Sequence, residues 1–240
     1  MVVFVTGGSR GIGAAIVRRF SRDGALVVFT YARASAEADA LVAEITDAGG
    51  VALAIRADST DDEALKAAVN ATVARFGALD VLVSNAGIMI LAGIDGYELE
   101  DFDRMLAVNV RAPFVTIQAA LPHLVAGGRI ITIGSVVADR SAFPGSSVYS
   151  MTKGALASMV RGLAIDLAKR AITVNNIQPG PTATQMNPAD VPHASTIRGL
   201  VPLARFGSPE EIASFVAYIA GPEADFITGA SLTIDGGYSA

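Results

Sequence analysis

Tyr149 and Lys153, four residues apart in Tyr149-Ser-Met-Thr-Lys153, are a pair with the means for proton chemistry. Residues at that spacing share one face of a helix. A phenol with an ordinary pKa of ~10 is a poor acid-base catalyst at neutral pH. A neighbouring ammonium favours the phenolate and draws that pKa down toward the useful range. The pattern alone also describes an ordinary solvated helix face, although the chain has only three lysines to place anywhere. Ser135 follows the apolar run Ile130-Ile131-Thr132-Ile133-Gly134, at the carboxyl end where open α/β sheets build their sites. Asn85-Ala86-Gly87 holds the same position after another apolar run, Leu79 to Ser84. Asn109 stands in Ala-Val-Asn-Val, where a polar residue among apolar neighbours needs a reason.

A second constellation lies at the start of the chain. Val2 to Val5 is apolar and is broken by Thr6-Gly7-Gly8-Ser9-Arg10-Gly11-Ile12-Gly13 before a helical pattern begins. This reads as a buried parallel strand turning into a helix. Glycines there let the backbone turn tightly and let a diphosphate approach the positive end of the helix with no Cβ in the way. The spacing differs from the common G-x-G-x-x-G fingerprint, because three residues separate Gly7 from Gly11 and one separates Gly11 from Gly13. A glycine-rich turn that binds nothing is the alternative. For a dinucleotide, charge indicates which one. A site for NAD places a carboxylate at the end of the second strand, whereas Phe29-Thr30-Tyr31-Ala32-Arg33 offers none. Arg33 and Arg10 instead suit a 2′ phosphate through charge-assisted bonds, so NADP(H) is expected.

Composition narrows the class. The 240 residues carry a net charge of -5, which argues against a nucleic-acid partner held by a basic surface. With no cysteine there is no disulfide framework and no cysteine zinc site. His123 and His193 lie far apart, so no metal site is expected. No apolar run reaches the ~18 residues of a membrane helix. Met1 leads straight into the first strand without a signal-peptide pattern, so no membrane partner and a cytoplasmic location are expected. Only 17% of residues are charged and mean hydropathy is positive. That fits a chain burying surface in an oligomer, although a large parallel core raises hydropathy too.

The elements that must hold these residues alternate along the chain. Apolar strands are predicted at 25–30, 51–56, 79–84, 129–134, 172–177 and 231–234, after the first at 2–5. Helices are predicted at 11–23, 36–48, to Phe76 from caps at Ser59 and Thr60, over 99–125 and over 147–170. Ser208-Pro209-Glu210-Glu211 starts another, with cap, proline and capping-box glutamate in place. Strict alternation argues one α/β domain over 1–240, a doubly wound, seven-stranded parallel sheet of the Rossmann type with helices on both faces. A long irregular stretch, 181–207, reads as a substrate loop or lid. Its Met186, Val191, Ile197, Leu200 and Val201 suggest an apolar substrate.

Taken together, T-G-x-x-x-G-x-G, N-A-G, Ser135, Y-x-x-x-K, Gln178-Pro179-Gly180 and the closing Thr228-Gly229-Ala230 to Asp235-Gly236-Gly237 resemble the short-chain dehydrogenase/reductase family over essentially the whole chain. The resemblance implies a carbonyl reductase, or an alcohol dehydrogenase in reverse, acting on a small carbonyl or alcohol substrate. It implies Tyr149 as the acid that protonates the carbonyl oxygen and Lys153 as the group that lowers its pKa and holds the nicotinamide ribose. Ser135 would polarise the carbonyl, and Asn109 would hold a water relaying protons to Lys153. The cofactor would run along Gly7, Ser9, Arg10, Gly11, Ile12 and Gly13, then Tyr31, Arg33, Asp58 and Ser59. Asn85, Ala86 and Gly87 would line its adenosine side, with Pro179, Gly180, Thr182 and Thr184 at the carboxamide end. A homotetramer, or a homodimer, is the assembly the resemblance implies. Two features depart from the family pattern: Ser84 replaces an asparagine, and the interval from Ser135 to Tyr149 is one residue longer than the commonest spacing. A 3-oxoacyl-thioester reductase and a cyclic-dinucleotide-binding protein on the same scaffold are the alternatives.

Overall fold

The computed structural model describes residues 1–141, 143–190 and 194–240; Val191, Pro192 and His193 of the expected lid therefore lie outside the described residues. Seven parallel strands form one sheet: β1 (Val2–Val5), β2 (Leu26–Tyr31), β3 (Val51–Arg56), β4 (Leu79–Ser84), β5 (Leu124–Ile133), β6 (Thr173–Pro179) and β7 (Ser231–Ile234). Their order across the sheet is β3-β2-β1-β4-β5-β6-β7, as the alternation of strands and helices predicts. β1 and β6 are buried from end to end, which is why they read as continuous apolar or small-polar runs and not as alternating ones. No helix among the described residues is long and apolar enough to cross a membrane.

Helices cover both faces. On one side α1 (Gly11–Arg22), α2 (Ser35–Asp47) and α8 (Pro209–Ala220) pack Ile16, Phe20, Leu41 and Val216 against Val3, Val27 and Ile131. On the other, α3 (Asp62–Phe76), α5 (Ala112–Ala120) and α6 (Ser147–Leu167) pack Leu65, Ile117 and Val160 against Phe4, Leu82 and Val174. The order reverses between β1 and β4, and the crevice there opens at their carboxyl ends. At α8 the predicted capping box is present: Ser208 accepts from the Glu211 amide at 3.2 Å and Glu211 accepts from the Ser208 amide at 2.8 Å.

Several boundaries differ from expectation for local reasons. Asp61, not Ser59 or Thr60, caps α3, accepting from the Glu63 and Ala64 amides at 3.0 Å each. The Thr60 hydroxyl is instead bound to Asp58 at 2.9 Å. The helix expected over 99–125 is α4 (Leu99–Leu106), a widened π-helical turn at Ala107–Arg111, and α5, ending at Ala120. The chain then enters β5 five residues earlier than the apolar pattern suggests, at Leu124, and the register slips before Arg129. Gly127, at φ +86°, takes up that slip. α6 stops at Leu167 and tightens into a 3-10 turn at Ala168–Arg170. The 181–207 stretch carries a short helix, α7 (Ala194–Gly199). It is pinned at its base where Gly207 donates to the Pro181 carbonyl at 2.9 Å.

Candidate active site

The glycine turn after β1 is shaped by two threonines, Thr6 immediately past β1 and Thr30 within β2. The Gly7 amide donates to Thr30 Oγ1 at 3.1 Å and the Gly8 amide to the Thr30 carbonyl at 2.9 Å. Thr6 Oγ1 accepts from the amides of Asn85 and Ala86, both at 3.0 Å, and Asn85 Nδ2 donates to the carbonyls of Thr6 and Gly7 at 3.0 and 2.9 Å. Gly7 and Gly11 sit at φ +64° and +55°, a backbone region costly for side chains. Gly13 has no room for one either, since a Cβ there would lie 2.2 Å from the Gly7 carbonyl oxygen. Arg10, in the cap position of α1, makes no side-chain cap bond. The first turn therefore presents its amides to the crevice. Arg10 and Arg33 are exposed, and among the described residues neither is in an ion pair.

Ser135, Tyr149, Lys153 and Asn109 come together at the carboxyl end of β5. Ser135, whose Oγ accepts from the Val137 amide at 3.3 Å, lies beside the Tyr149 phenol and acts to lower its pKa. One turn along α6, Lys153 Nζ donates to the Ile133 carbonyl at 2.8 Å and lies 5.8 Å from the centre of the Tyr149 ring. Asn109 occupies the widened turn, where an extra residue points its carboxamide inward. Its Oδ1 accepts from the Ile88 amide at 2.9 Å; its Nδ2 donates to the Ile88 carbonyl at 2.8 Å and to Thr152 Oγ1 at 3.1 Å. Gly87 closes the set, since a Cβ there would stand 3.5 Å from both Asn109 Oδ1 and Lys153 Nζ.

Burial governs the ionisation of the pair. It pushes the Tyr149 phenol up to about 12, with Ser135 pulling the other way, and pushes the Lys153 ammonium down to about 8. The expectation that Lys153 draws the phenol below its ordinary value is thus corrected. Lys153 donates to the Ile133 carbonyl at 2.8 Å, and burial is the largest cause acting on the phenol.

The remaining candidates fall along the same edge. Tyr31 ends β2, and its carbonyl accepts from Ala57 at 2.9 Å, which sets Asp58 beside that strand end. The Asp58 carboxyl is held below its ordinary value mainly by the Thr60 amide, with smaller help from the Thr60 hydroxyl and the charges of Arg33 and Arg104. Pro179 ends β6, and Gly180 packs so closely on Asp235 that a Cβ would lie 2.5 Å away. Thr182 Oγ1 donates to the Gly180 carbonyl at 3.0 Å, and Thr184 stands over the glycine turn, 3.6 Å from where a Gly11 Cβ would be. Ser9 and Ile12 flank that turn half-buried, while Ser59 stands between Asp58 and Thr60 outside their hydrogen bonds. Thr30 and Thr152 carry no signal in the sequence, and Thr6 stands there only as the first residue of the glycine motif. A hydroxyl at the last position of an apolar run, just before a glycine turn, is the signal that marks Thr6.

Lys153 lowers stability where it stands. Its pKa falls from 10.5 to about 8, so the folded state disfavours its charge by at most about 3 kcal/mol at neutral pH. The cost is complete below pH 8 and fades as pH rises toward 10.5, where the unfolded chain also loses the proton. Lys153→Met is therefore expected to raise the thermal midpoint by a few degrees at pH 7, with the gain shrinking above pH 8. Calorimetry across that range checks it, and a gain independent of pH would contradict it.

A family model described as enoyl-(acyl carrier protein) reductase matches residues 7–239. The cyclic-di-GMP-binding biofilm dispersal mediator protein of Escherichia coli (strain K12) is 45% identical over 238 residues, covering 99% of this chain and 97% of that protein. A short-chain dehydrogenase/reductase from Serratia marcescens BCRC 10948 superposes with a TM-score of 0.98 at 55% identity, covering 100% of this chain and 98% of the other. A short chain dehydrogenase from Burkholderia cenocepacia J2315, solved in complex with NADP, superposes with a TM-score of 0.97 at 47% identity, covering 99% and 97%. With the glycine cradle, the Ser135–Tyr149–Lys153 cluster and these likenesses along its whole length, the chain belongs to the short-chain dehydrogenase/reductase family of oxidoreductases.

Proposed function

We propose that the chain is an NADP(H)-dependent carbonyl reductase that also runs in reverse as an alcohol dehydrogenase. The observation that carries this reading is Ser135 beside the Tyr149 phenol with Lys153 buried one turn away, 5.8 Å from the ring centre, at the same sheet edge as the glycine cradle. A binding protein has no use for that arrangement. The residues present fit a dinucleotide: Gly7, Gly11 and Gly13 leave no side chain over the first amides of α1, and Gly87 leaves space beside Lys153 Nζ. Bound there, the nicotinamide supplies a hydride to the carbonyl carbon.

In that arrangement Tyr149 donates its phenolic proton to the carbonyl oxygen while Ser135 holds the same oxygen by a hydrogen bond. A phenol at about 12 is fully protonated at neutral pH, the form that reduction requires. Lys153 orients toward the ribose hydroxyls and restores the proton to Tyr149. Asn109 ties Ile88 to α6, and a water near it relays protons to Lys153. Asp58, Ser59, Asn85, Ala86 and Gly87 line the adenosine side, with Ser9, Ile12 and Tyr31 around the phosphates and adenine. Pro179, Gly180, Thr182 and Thr184 hold the carboxamide end, and 181–207 acts as the lid. Arg10 and Arg33 read the 2′ phosphate. The E. coli relative's cyclic-di-GMP binding makes a dinucleotide-regulated protein the second reading.

Assembly follows from the helices beside the site. Exposed Leu99, Phe114, Met151 and Ile165 lie on α4, α5 and α6, and Leu106, Val110, Phe114 and Met159 line an open apolar groove of about 460 Å³. These helices pair with their counterparts in a two-fold dimer, and two dimers form a tetramer. Light scattering that reported a monomer at working concentration would contradict this.

Cofactor choice is tested by titration. NADPH is expected to bind more tightly than NADH, and Arg10→Ala with Arg33→Ala to erase most of the difference, about tenfold for each arginine. Equal affinities in the unaltered protein would remove the role given to both. Tyr149→Phe keeps the packing of the ring and deletes the acid. Turnover of a ketone is expected to fall by at least ~10²-fold while NADPH affinity stays nearly constant. Normal turnover in this variant rejects Tyr149 as the acid, and absence of any ketone turnover in the unaltered protein favours the binding reading.

A further inference from the structure

We infer that Thr152 is a positioning residue for ketone reduction. Its hydroxyl holds the Asn109 carboxamide, and through it the Gly87–Ile88 backbone, against the turn of α6 that carries Tyr149 and Lys153. This rests on the carbonyl-reductase reading of the site. Thr152 is fully buried, so it acts through its neighbours. Its hydroxyl has one proton, which goes to the Tyr149 carbonyl at 2.8 Å. Toward Asn109 it is therefore left as an acceptor, and Asn109 Nδ2 donates to it at 3.1 Å.

That polarity decides which way round the carboxamide sits. With Nδ2 turned to α6, Oδ1 is left to accept from the Ile88 amide at 2.9 Å, and the second Nδ2 proton goes to the Ile88 carbonyl at 2.8 Å. A flipped carboxamide sets donor against donor at the Ile88 amide and acceptor against acceptor at its carbonyl. Met105 Sδ, 3.8 Å from Nδ2, is a weak acceptor and a poor substitute for the hydroxyl. Gly87 carries the consequence to the reacting end, because a Cβ there would stand 3.5 Å from both Asn109 Oδ1 and Lys153 Nζ. A carboxamide that turns thus changes the space beside the Lys153 ammonium.

Other helical threonines show what an ordinary one does. Thr46 on α2, Thr72 on α3 and Thr116 on α5 each donate to the carbonyl four residues back, at 2.8, 2.8 and 2.7 Å. Among the described residues none of the three takes a second hydrogen bond. Such local bonds serve the helix alone. Thr152 instead reaches three residues back, to Tyr149, and also receives a donor 43 residues away in the chain. Deleting that acceptor strands a buried N–H, which costs more than the bond itself is worth.

The test compares Thr152→Val, which keeps the shape and removes the hydroxyl, with Thr152→Ser, which keeps the hydroxyl. Thr72→Val, equally buried and remote from the site, is the control for loss of a helical hydroxyl. In Thr152→Val, kcat for a ketone with NADPH is expected to fall by at least ~10-fold, with KM for the ketone little changed. Thr152→Ser is expected to restore most of the loss, and Thr72→Val to leave kcat unaltered. Deuterium uptake over residues 85–92, read by mass spectrometry on the full chain, is expected to rise in Thr152→Val and in neither of the others. If Thr152→Val does not fold, Thr152→Ala against Thr152→Ser makes the same comparison. Normal kcat in Thr152→Val, an equal loss in Thr152→Ser, or unchanged uptake over 85–92 each overturns the inference and leaves the reductase reading standing. No ketone turnover in the unaltered protein overturns both.

Discussion

The seam between β1 and β4 is the constraint on which the rest of the site depends. These strands are neighbours in the sheet, but the chain leaves them toward opposite faces, so a crevice opens at their carboxyl ends. A crevice exposes backbone groups that a continuous sheet would pair. Thr6 and Asn85 satisfy them: one hydroxyl takes two amides, and one carboxamide takes two carbonyls. Their four bonds fix the path of the glycine turn, and Thr30 secures it from β2. Gly13 can then press against the Gly7 carbonyl and aim the first turn of α1 into the opening.

From this seam a second set of bonds runs to the helix that carries Tyr149 and Lys153. Gly87 and Ile88 continue directly from Asn85, and Asn109 holds Ile88 by both its backbone groups while also holding Thr152 on α6. Thr152 lies between Tyr149 and Lys153. The cradle and the Tyr149 turn of α6 are therefore linked by one run of hydrogen bonds, and the π-helical turn at Ala107–Arg111 is the local distortion that lets Asn109 reach it. The arrangement conflicts with stability. Burial depresses the Lys153 pKa, and a strongly shifted group at a strand end is a candidate for function as well as a cost to folding.

Much of this was legible in the sequence because its signals are local. Seven apolar runs alternating with helical patterns allow little but a doubly wound parallel sheet, since strands buried on both faces must be apolar throughout. Glycines at 7, 11 and 13 announced a tight turn before a helix, and the spacing of Tyr149 and Lys153 announced a shared face. Boundaries were less legible where side chains competed. Thr60 looks like the cap of α3 until Asp58 claims its hydroxyl, and Asp61 then takes the position. Leu124 looks helical until β4 pairs with it.

What the sequence by itself determined, then, is the order of elements, the residue types at each strand end, and the candidates Ser135, Tyr149, Lys153 and Asn109. Short-range periodicity and backbone sterics decide these. What only the tertiary structure decided depends on groups brought together from distant parts of the chain. Thr6 meets Asn85 across 79 residues, and Asn109 meets Thr152 across 43. The ionisation of Tyr149 belongs to the same category. Its spacing to Lys153 predicts a lowered pKa, but the direction is set by how far the surrounding elements desolvate this half-buried residue. Burial is a property of all the surrounding elements at once, and it turned the shift upward to about 12.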